Sequence, residues 1–220
     1  VLVTAGPTRE ALDPVRYLSN RSSGKMGYAI ARAAADAGAQ TQLVSGPVDL
    51  PVPDRVRCHA VTSAQDMLDR CLELLTDCDV FIACAAVADY RPARVADQKI
   101  KKSGATLTLE LVRNPDIVAT VASLAERPFC VGFAAETQKL REHALQKLEA
   151  KKLDLIVGND VSDPAIGFNA DDNAALILDR DRERVVERCS KATLARILIE
   201  EIAARLPART ARFRAELQGL

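Results

Sequence analysis

Short apolar runs rich in β-branched residues alternate along this chain with longer segments of helical periodicity, and that alternation leaves few folds open. Val1 to Ala5 reads as a strand and is followed by a helical pattern from about Lys25 to Ala37. Within it Met26, Ala29, Ile30, Ala33 and Ala37 share one face, and Gly38 stands where a left-handed C-terminal cap belongs. Thr41 to Ser45 completes a βαβ unit. Ser63, with Asp66 three residues on, reads as a capping box that opens an apolar stripe of Met67, Leu68, Cys71, Leu72 and Leu75. Val80 to Cys84 is apolar on both faces, as a central strand of a parallel sheet must be. The fold class expected is α/β: a three-layer, Rossmann-like, mostly parallel sheet.

The second half of the chain extends the pattern. From Ala85 to about Gly104 apolar periodicity lapses, which predicts a long flap loop carrying Pro92 and the run Lys99-Ile100-Lys101-Lys102. Thr106 to Leu111 alternates like a strand, and Asn114-Pro115 is expected to start a helix, with Asn as the cap and Pro in the first turn. Phe129 to Phe133, a helix from about Gln138 to Lys152, and Leu153 to Val157 continue the alternation. Ala174 to Leu178 and Arg184 to Glu187, joined by the charged turn Asp179 to Glu183, predict an appended antiparallel hairpin. An amphipathic helix from Ser190 to Leu206 follows, so the expected organisation is one domain over 1–206 and a C-terminal tail over 207–220. The chain opens without Met, directly in a strand-like run, and an upstream domain is expected on that ground.

Charge and cysteine usage narrow the function. Thirty Lys plus Arg balance thirty Asp plus Glu, so no global field attracts nucleic acid or an anionic membrane, and phosphate recognition has to be local. Six scattered cysteines form no C-x-x-C pair, and His59 and His143 are the two histidines, which argues against a zinc site. Such cysteines fit small buried hydrophobes in a reducing cytosol. No apolar run approaches the ~20 residues that span a bilayer, so a soluble, cytoplasmic protein is expected.

The first turn is a dinucleotide fingerprint pulled apart: Gly6 closes the strand, while Gly24-Lys25-Met26-Gly27 opens the helix. Val44-Ser45-Gly46 stands where a ribose-binding acid would end the second strand, which argues against NAD. The insertion is crowded with polar side chains, and Ser22, Ser23 and Gly24 precede helix N–H groups that form an anion cradle, or else an ordinary Ser/Gly cap on a surface loop. Ala85-Ala86-Val87-Ala88 places small residues where backbone approaches a ligand. Asp89 then offers a carboxylate for ribose hydroxyls or a metal, or serves as a turn residue. Lys99, Lys101 and Lys102 either lie over a triphosphate or form a solvated charge run. Lys147 and Lys151 share a helical face, where like charges disfavour the helix by a few tenths of a kcal/mol, roughly.

Beyond spacing, the blocks TAGPTRE (Thr4 to Glu10), LDPVRYLSNRSSGKMG (Leu12 to Gly27), AAVADYRP (Ala85 to Pro92), KIKK (Lys99 to Lys102), NPDIV (Asn114 to Val118), GFAAET (Gly132 to Thr137) and NDV (Asn159 to Val161) resemble the phosphopantothenoylcysteine synthetase family. They occur in family order, without departure at a motif position. The resemblance implies a ligase of coenzyme A biosynthesis in which the carboxylate of 4'-phosphopantothenate attacks the α-phosphate of CTP, giving a 4'-phosphopantothenoyl-cytidylate and pyrophosphate. L-cysteine's amine then displaces CMP. It implies Mg²⁺ as the nucleotide's metal, with no dedicated protein metal ligands. Asn20 and Lys99 match catalytic positions; Arg16, Asn20, Ala85 and Ala86 match positions near the phosphopantothenate moiety. Ser22, Ser23, Gly24, Asp89, Lys99, Pro115, Asp116, Ile117, Val118, Phe133, Lys147 and Lys151 are assigned to the nucleotide. The family further implies a homodimer, and the hairpin Ala174 to Glu187 is expected to form part of its interface. It also implies fusion to an upstream phosphopantothenoylcysteine decarboxylase that carries FMN. The competing readings are an NAD- or FAD-binding Rossmann oxidoreductase and a non-catalytic nucleotide-binding module.

Overall fold

Strand β1 (Leu2–Ala5) is buried along its whole length because the sheet grows on both sides of it. In the computed structural model, which describes residues 1–102, 104–136, 139–160 and 170–206, the chain leaves β1 through Gly6 into an inserted hairpin, β2 (Arg9–Ala11) and β3 (Tyr17–Ser19). Helix α1 (Lys25–Asp36) crosses back and leads to β4 (Thr41–Ser45) and β5 (Val56–Ala60). Helix α2 (Ala64–Glu73) starts on the predicted box: Ser63 Oγ accepts from the Asp66 N–H at 3.1 Å, and Asp66 Oδ2 accepts from the Ser63 N–H at 2.9 Å. Strand β6 (Val80–Ala83), the ribbon β7 (Tyr90–Pro92) and β8 (Leu111–Arg113), and helix α3 (Ile117–Ala122) follow. Strand β9 (Phe129–Glu136), helix α4 (Leu140–Ala150), β10 (Leu155–Asp160), β11 (Asp172–Leu178), β12 (Glu183–Ser190) and helix α5 (Lys191–Ala203) complete the described chain.

The central sheet has eight strands in the order β12-β11-β10-β9-β6-β1-β4-β5. From β5 through β10 all pairings are parallel, which is the doubly wound order of a dinucleotide-type fold, with the strand order reversing at β1/β6. Side-chain alternation divides the core between two faces. Val3, Ile30, Leu43, Ile82, Val131, Val157, Leu194 and Leu198 pack together with α1 and α5 on one face. Leu2, Val44, Met67, Phe81, Val121, Cys130, Leu148 and Ile156 pack with α2, α3 and α4 on the other.

The predicted antiparallel hairpin is present as β11 and β12, and it joins the sheet: β11 pairs antiparallel with β10 and carries β12 onto the edge, which satisfies the β10 backbone groups that would otherwise face outward. Three expectations are corrected. The strand expected over Thr106 to Leu111 instead spans Leu111–Arg113, because its partner β7 is three residues long and register limits what it can pair. Leu72 lies off the buried stripe of α2 and is 40% exposed, while Met67, Leu68 and Cys71 are buried. Helix α3 is capped by Asp116, whose side chain accepts from the Ala119 N–H at 3.1 Å, because the Asn114 side chain is bonded to the Ala88 carbonyl instead. The tail over 207–220, Thr137 and Val161 lie outside the described residues.

One glycine sets the distance between helix and sheet. A Cβ on Gly27 would stand 2.5 Å from the Ala5 Cβ and 3.1 Å from the Thr4 carbonyl oxygen, so α1 rests on β1 closer than any side chain permits. Gly27→Ala should therefore lose about 1–3 kcal/mol to overpacking despite the better helix propensity of Ala, and the thermal midpoint should fall by several degrees. A midpoint at or above the parent's would contradict this packing.

Candidate active site

Ligands of open α/β sheets bind beyond the carboxyl ends of the strands, where the order reverses and the two loops part. Here those loops, after β1 and β6, are stitched together. The Ala86 N–H donates to the Gly6 carbonyl at 2.9 Å, and the Thr8 N–H donates to the Ala86 carbonyl at 3.2 Å. Thr4 Oγ1 accepts from the Ala85 N–H at 3.2 Å, and Thr8 Oγ1 from the Ala88 N–H at 3.0 Å. Thr8 is fully buried. The Ser19 hydroxyl donates to the Thr8 carbonyl at 2.7 Å, which lays β3 across the junction. Asn20, otherwise exposed, donates Nδ2 to the Ala86 carbonyl at 2.9 Å. Ala85, Ala86 and Asn20 thus meet at the switch point.

Helix α1 begins beside them on Gly24, whose left-handed φ of 77° lets the chain turn from the insertion into the helix. Gly24 supplies no side-chain cap, Ser22 Oγ accepts from the Gly24 N–H at 3.3 Å, and Ser22 and Ser23 are half-buried. A helix N-terminus in this setting is suited to an anion. Lys25, the first helical residue, pairs with Asp171 at 2.7 Å and holds its carboxyl below the usual range. Lys191, the first residue of α5, is 7% exposed and donates Nζ to the Ala170 carbonyl. Burial, then the nearby Lys25 charge, lowers its pKa. Burial pushes the neighbouring Cys84 thiol up to about 12, so it is no nucleophile at neutral pH.

A second group assembles on the α3/α4 side. The Asn114 N–H donates to the Asp89 carbonyl at 2.9 Å, and its Nδ2 to the Ala88 carbonyl at 2.8 Å, so Pro115, Asp116, Ile117 and Val118 are held next to Asp89. The Asp89 side chain is exposed. Lys151 Nζ pairs with Asp116 at 2.9 Å, while Lys147 Nζ donates to the carbonyl of Phe133, midway along β9, at 2.6 Å. The repulsion expected between these lysines is offset by separate oxygen partners.

Arg16 and the flap meet in a third group. Asp13 sits in the tight turn between β2 and β3, and its side chain is completely covered. Oδ1 accepts from the N–H groups of Val15 and Arg16, each at 2.9 Å. Oδ2 accepts from Arg16 Nε at 2.9 Å, from Arg16 Nη2, and from the Ile100 N–H at 3.0 Å. Arg16 Nη2 also donates to the Ile100 carbonyl at 2.8 Å, and the Ala96 N–H to the Leu12 carbonyl at 3.0 Å. The flap is therefore seated on the insertion at its Ile100 and Ala96 positions, and Lys99, exposed, is held beside that seat. Glu10, buried, accepts from the Ala64 N–H at 3.0 Å and pins the insertion to the start of α2. Thr8, Glu10 and Asp13 are among the polar residues that the sequence crowds into the insertion, but their bracing partners, the anchoring role of Asn114, and Lys191 are not legible there. For Asp13 a signal existed, since Asp-Pro is a turn pair whose carboxylate bonds backbone N–H groups two and three residues on.

These features define a doubly wound α/β domain whose glycine turn has been opened by an inserted polar hairpin, with cationic and helix-terminal groups gathered at the strands' carboxyl ends. The model for the DNA/pantothenate metabolism flavoprotein C-terminal domain family matches residues 1–206, and the chain belongs to that family. The coenzyme A biosynthesis bifunctional protein CoaBC of Vibrio vulnificus is 53% identical over 205 residues, covering 92% of this chain and 51% of that protein. The chain thus spans about half the length of the curated relatives it matches. The crystal structure of the C-terminal domain of a CoaBC protein superposes with a TM-score of 0.78 at 40% identity, covering 91% of this chain and 92% of that one. A mutant of Cab2 in complex with phosphopantothenate-cysteine shares the fold, with a TM-score of 0.73 at 17% identity, over 97% of this chain and 88% of that one.

The Asp13 carboxyl is held well below the usual carboxylate range, first by the hydrogen bond from the Arg16 side chain. A depressed folded value adds stability that is present above the unfolded Asp value of about 3.9 and is lost as pH falls through the folded value. The flap seat is therefore expected to survive acidification through the ordinary Asp range. The backbone amide shift of Ile100, followed by NMR from neutral pH to about pH 4, should stay constant; a titration there would place the folded value too low.

Proposed function

We propose that this domain joins 4'-phosphopantothenate to L-cysteine at the expense of CTP, as the ligase step of coenzyme A biosynthesis. Family membership supports the reaction class. One structural observation supports the siting: Asn20 is anchored on the Ala86 carbonyl at the switch point, next to the α1 N-terminus. In the first step a carboxylate oxygen of phosphopantothenate attacks the CTP α-phosphorus, the α–β phosphoanhydride bond breaks, and pyrophosphate leaves with the bonding pair. In the second, the neutral cysteine amine attacks the acyl carbon, the bond from that carbon to the phosphate oxygen breaks, CMP departs with the bonding pair, and one amine proton passes to solvent while the amide keeps the other.

The residues present suit those roles. Asn20 uses one amide hydrogen on Ala86, which leaves Oδ1 and the second hydrogen to orient the acyl-cytidylate. Ser22, Ser23 and the N–H groups following Gly24 face phosphate oxygens, and Lys99 adds positive charge where pyrophosphate develops. Asp89 and the 115–118 segment border the nucleoside, with Lys147 and Lys151 behind them. Arg16 and Asn20 flank the three-residue strand β3, about 13 Å apart if the chain is extended throughout, a separation that suits the two ends of an elongated phosphorylated acid. Mg²⁺ bound to a triphosphate keeps mostly water and phosphate ligands, and among the described residues no three acidic, His or Cys side chains cluster to hold it otherwise. It would supply charge neutralisation on the phosphates. A dinucleotide reading finds no acid at the end of β4, where Ser45 Oγ is instead bonded to the Tyr28 hydroxyl at 3.1 Å.

A second copy of the chain belongs in this reading. Val15, Tyr17, Tyr90, Val95, Leu107, Leu111 and Val112, between 37% and 60% exposed, cluster in the insertion and in the β7–β8 arm that also carries the flap. An apolar surface of this kind beside a site marks an interface. The hairpin β11–β12 offers a smaller candidate through Val185, 66% exposed. The rest of the full-length protein is proposed to hold an FMN-bearing phosphopantothenoylcysteine decarboxylase, with the whole in the cytoplasm. Among the described residues no helix is long and apolar enough to cross a membrane.

Incubation with CTP, phosphopantothenate and Mg²⁺ without cysteine should release pyrophosphate and accumulate the cytidylate; absence of both would sink the proposal. Asn20→Asp should retain more of this first step than of the second, and Lys99→Gln should depress the first by about 10-fold or more, both measurable by single-turnover assays. Val112→Arg should shift the protein from dimer to monomer in light scattering; an unchanged dimer would move the interface away from the arm.

A further inference from the structure

The Asp13 carboxylate joins two segments that the proposed reaction needs in one place. One segment carries Arg16; the other carries Lys99, one residue before Ile100. Oδ2 alone receives Arg16 Nε, Arg16 Nη2 and the Ile100 N–H, while Arg16 Nη2 closes the triangle on the Ile100 carbonyl. The Arg16 side chain thus reaches both segments as well, and Asp13 holds it there. The guanidinium is held along its Nε–Nη2 edge, which leaves Nη1 directed elsewhere, and the side chain is 43% exposed. Paired with Asp13, Arg16 is neutral overall and meets a ligand through a fixed donor direction more than through net charge.

We propose that Asp13 is the positioning residue of this site: it sets the Nη1 direction of Arg16 and the location of Lys99 as a single unit. It touches neither substrate and acts through both residues. The proposal rests on the reading of Arg16 and Lys99 as acid-site and nucleotide-site groups. The physical reason is charge placement, because a lysine acting on departing pyrophosphate gives most of its effect when its location is preorganised, and a shift of about 1 Å is worth up to ~100-fold in rate. Substituting Asn for Asp13 replaces one acceptor oxygen by a donor group, which cannot receive Arg16 and the Ile100 N–H together.

The test is a double-mutant cycle on the cytidylate-forming step, using Asp13→Asn, Lys99→Gln and the pair. If Asp13 works by placing Lys99, Asp13→Asn slows pyrophosphate release by about 10-fold or more, and adding Lys99→Gln to it costs little further, because the lysine has already lost its position. Losses that multiply would overturn the proposal, since two independent defects behave that way. To separate placement from misfolding of the insertion, the cycle is repeated with Asp13→Glu, which keeps both acceptors but displaces them by one methylene; the same non-additivity, at smaller amplitude, is expected. Hydrogen exchange of the Ile100 amide supplies a readout independent of turnover. It should be protected in the parent and exchange about 10-fold faster or more in Asp13→Asn, and equal protection would overturn the seat itself. If the parent forms no cytidylate while the exchange result holds, the reading of the reaction fails and the seat stands.

Discussion

The carboxyl edge of this domain depends on the backbone bonds that hold the end of β1 to the loop after β6. A parallel sheet that reverses its order at that point normally leaves a crevice between diverging loops. Thr8 and Ala86 bridge it, with the Thr4 and Thr8 hydroxyls accepting the N–H groups of Ala85 and Ala88. Because those residues are buried or half-buried, an unmade bond there would cost about 1–3 kcal/mol, so the junction is a rigid base. The inserted hairpin rests on it through Ser19, and Asn20 takes its orientation from it.

From that base the site is built by cross-bracing. Glu10 fastens the insertion to the start of α2, Asp13 fastens the flap to the insertion, and Asn114 fastens the β8–α3 connection to Ala88 and Asp89. Each brace uses a polar side chain to satisfy backbone groups that irregular segments leave unpaired. A domain with so much non-helical chain at one edge needs them. The lysines follow the same economy: Lys25, Lys147, Lys151 and Lys191 each engage an oxygen of a neighbouring segment, which offsets the repulsion within the pairs Lys25/Lys191 and Lys147/Lys151.

Much of the architecture was legible in the residues. The alternation of strands and helices predicted the layers, the Ser63–Asp66 box located the start of α2, and Gly38 marked the end of α1. Ser22 and Ser23, read as an anion cradle, stand at one edge of the sheet with Asn20, Ala85 and Ala86, which the family resemblance assigned to the phosphopantothenate moiety. Less legible were features whose partner is distant in sequence. Asn114 has a good capping side chain and precedes Pro, yet it bonds Ala88, and Asp116 caps the helix. The hairpin looked separable because its own alternation is complete, and nothing local announces that β10 needs a neighbour.

The division has a physical basis. Periodicities of 2.0 and 3.6 residues record which face of an element is buried, and caps and turns record contacts a few residues apart, so the sequence by itself determined the element types, the two-faced core and the polar insertion at Gly6. Which groups share a hydrogen bond across 84 or 87 positions, as Arg16 and Asp13 do with Ile100, depends on where the strand order sets the loops. Only the tertiary structure decided that Asp13, a turn residue by every local sign, would hold the flap.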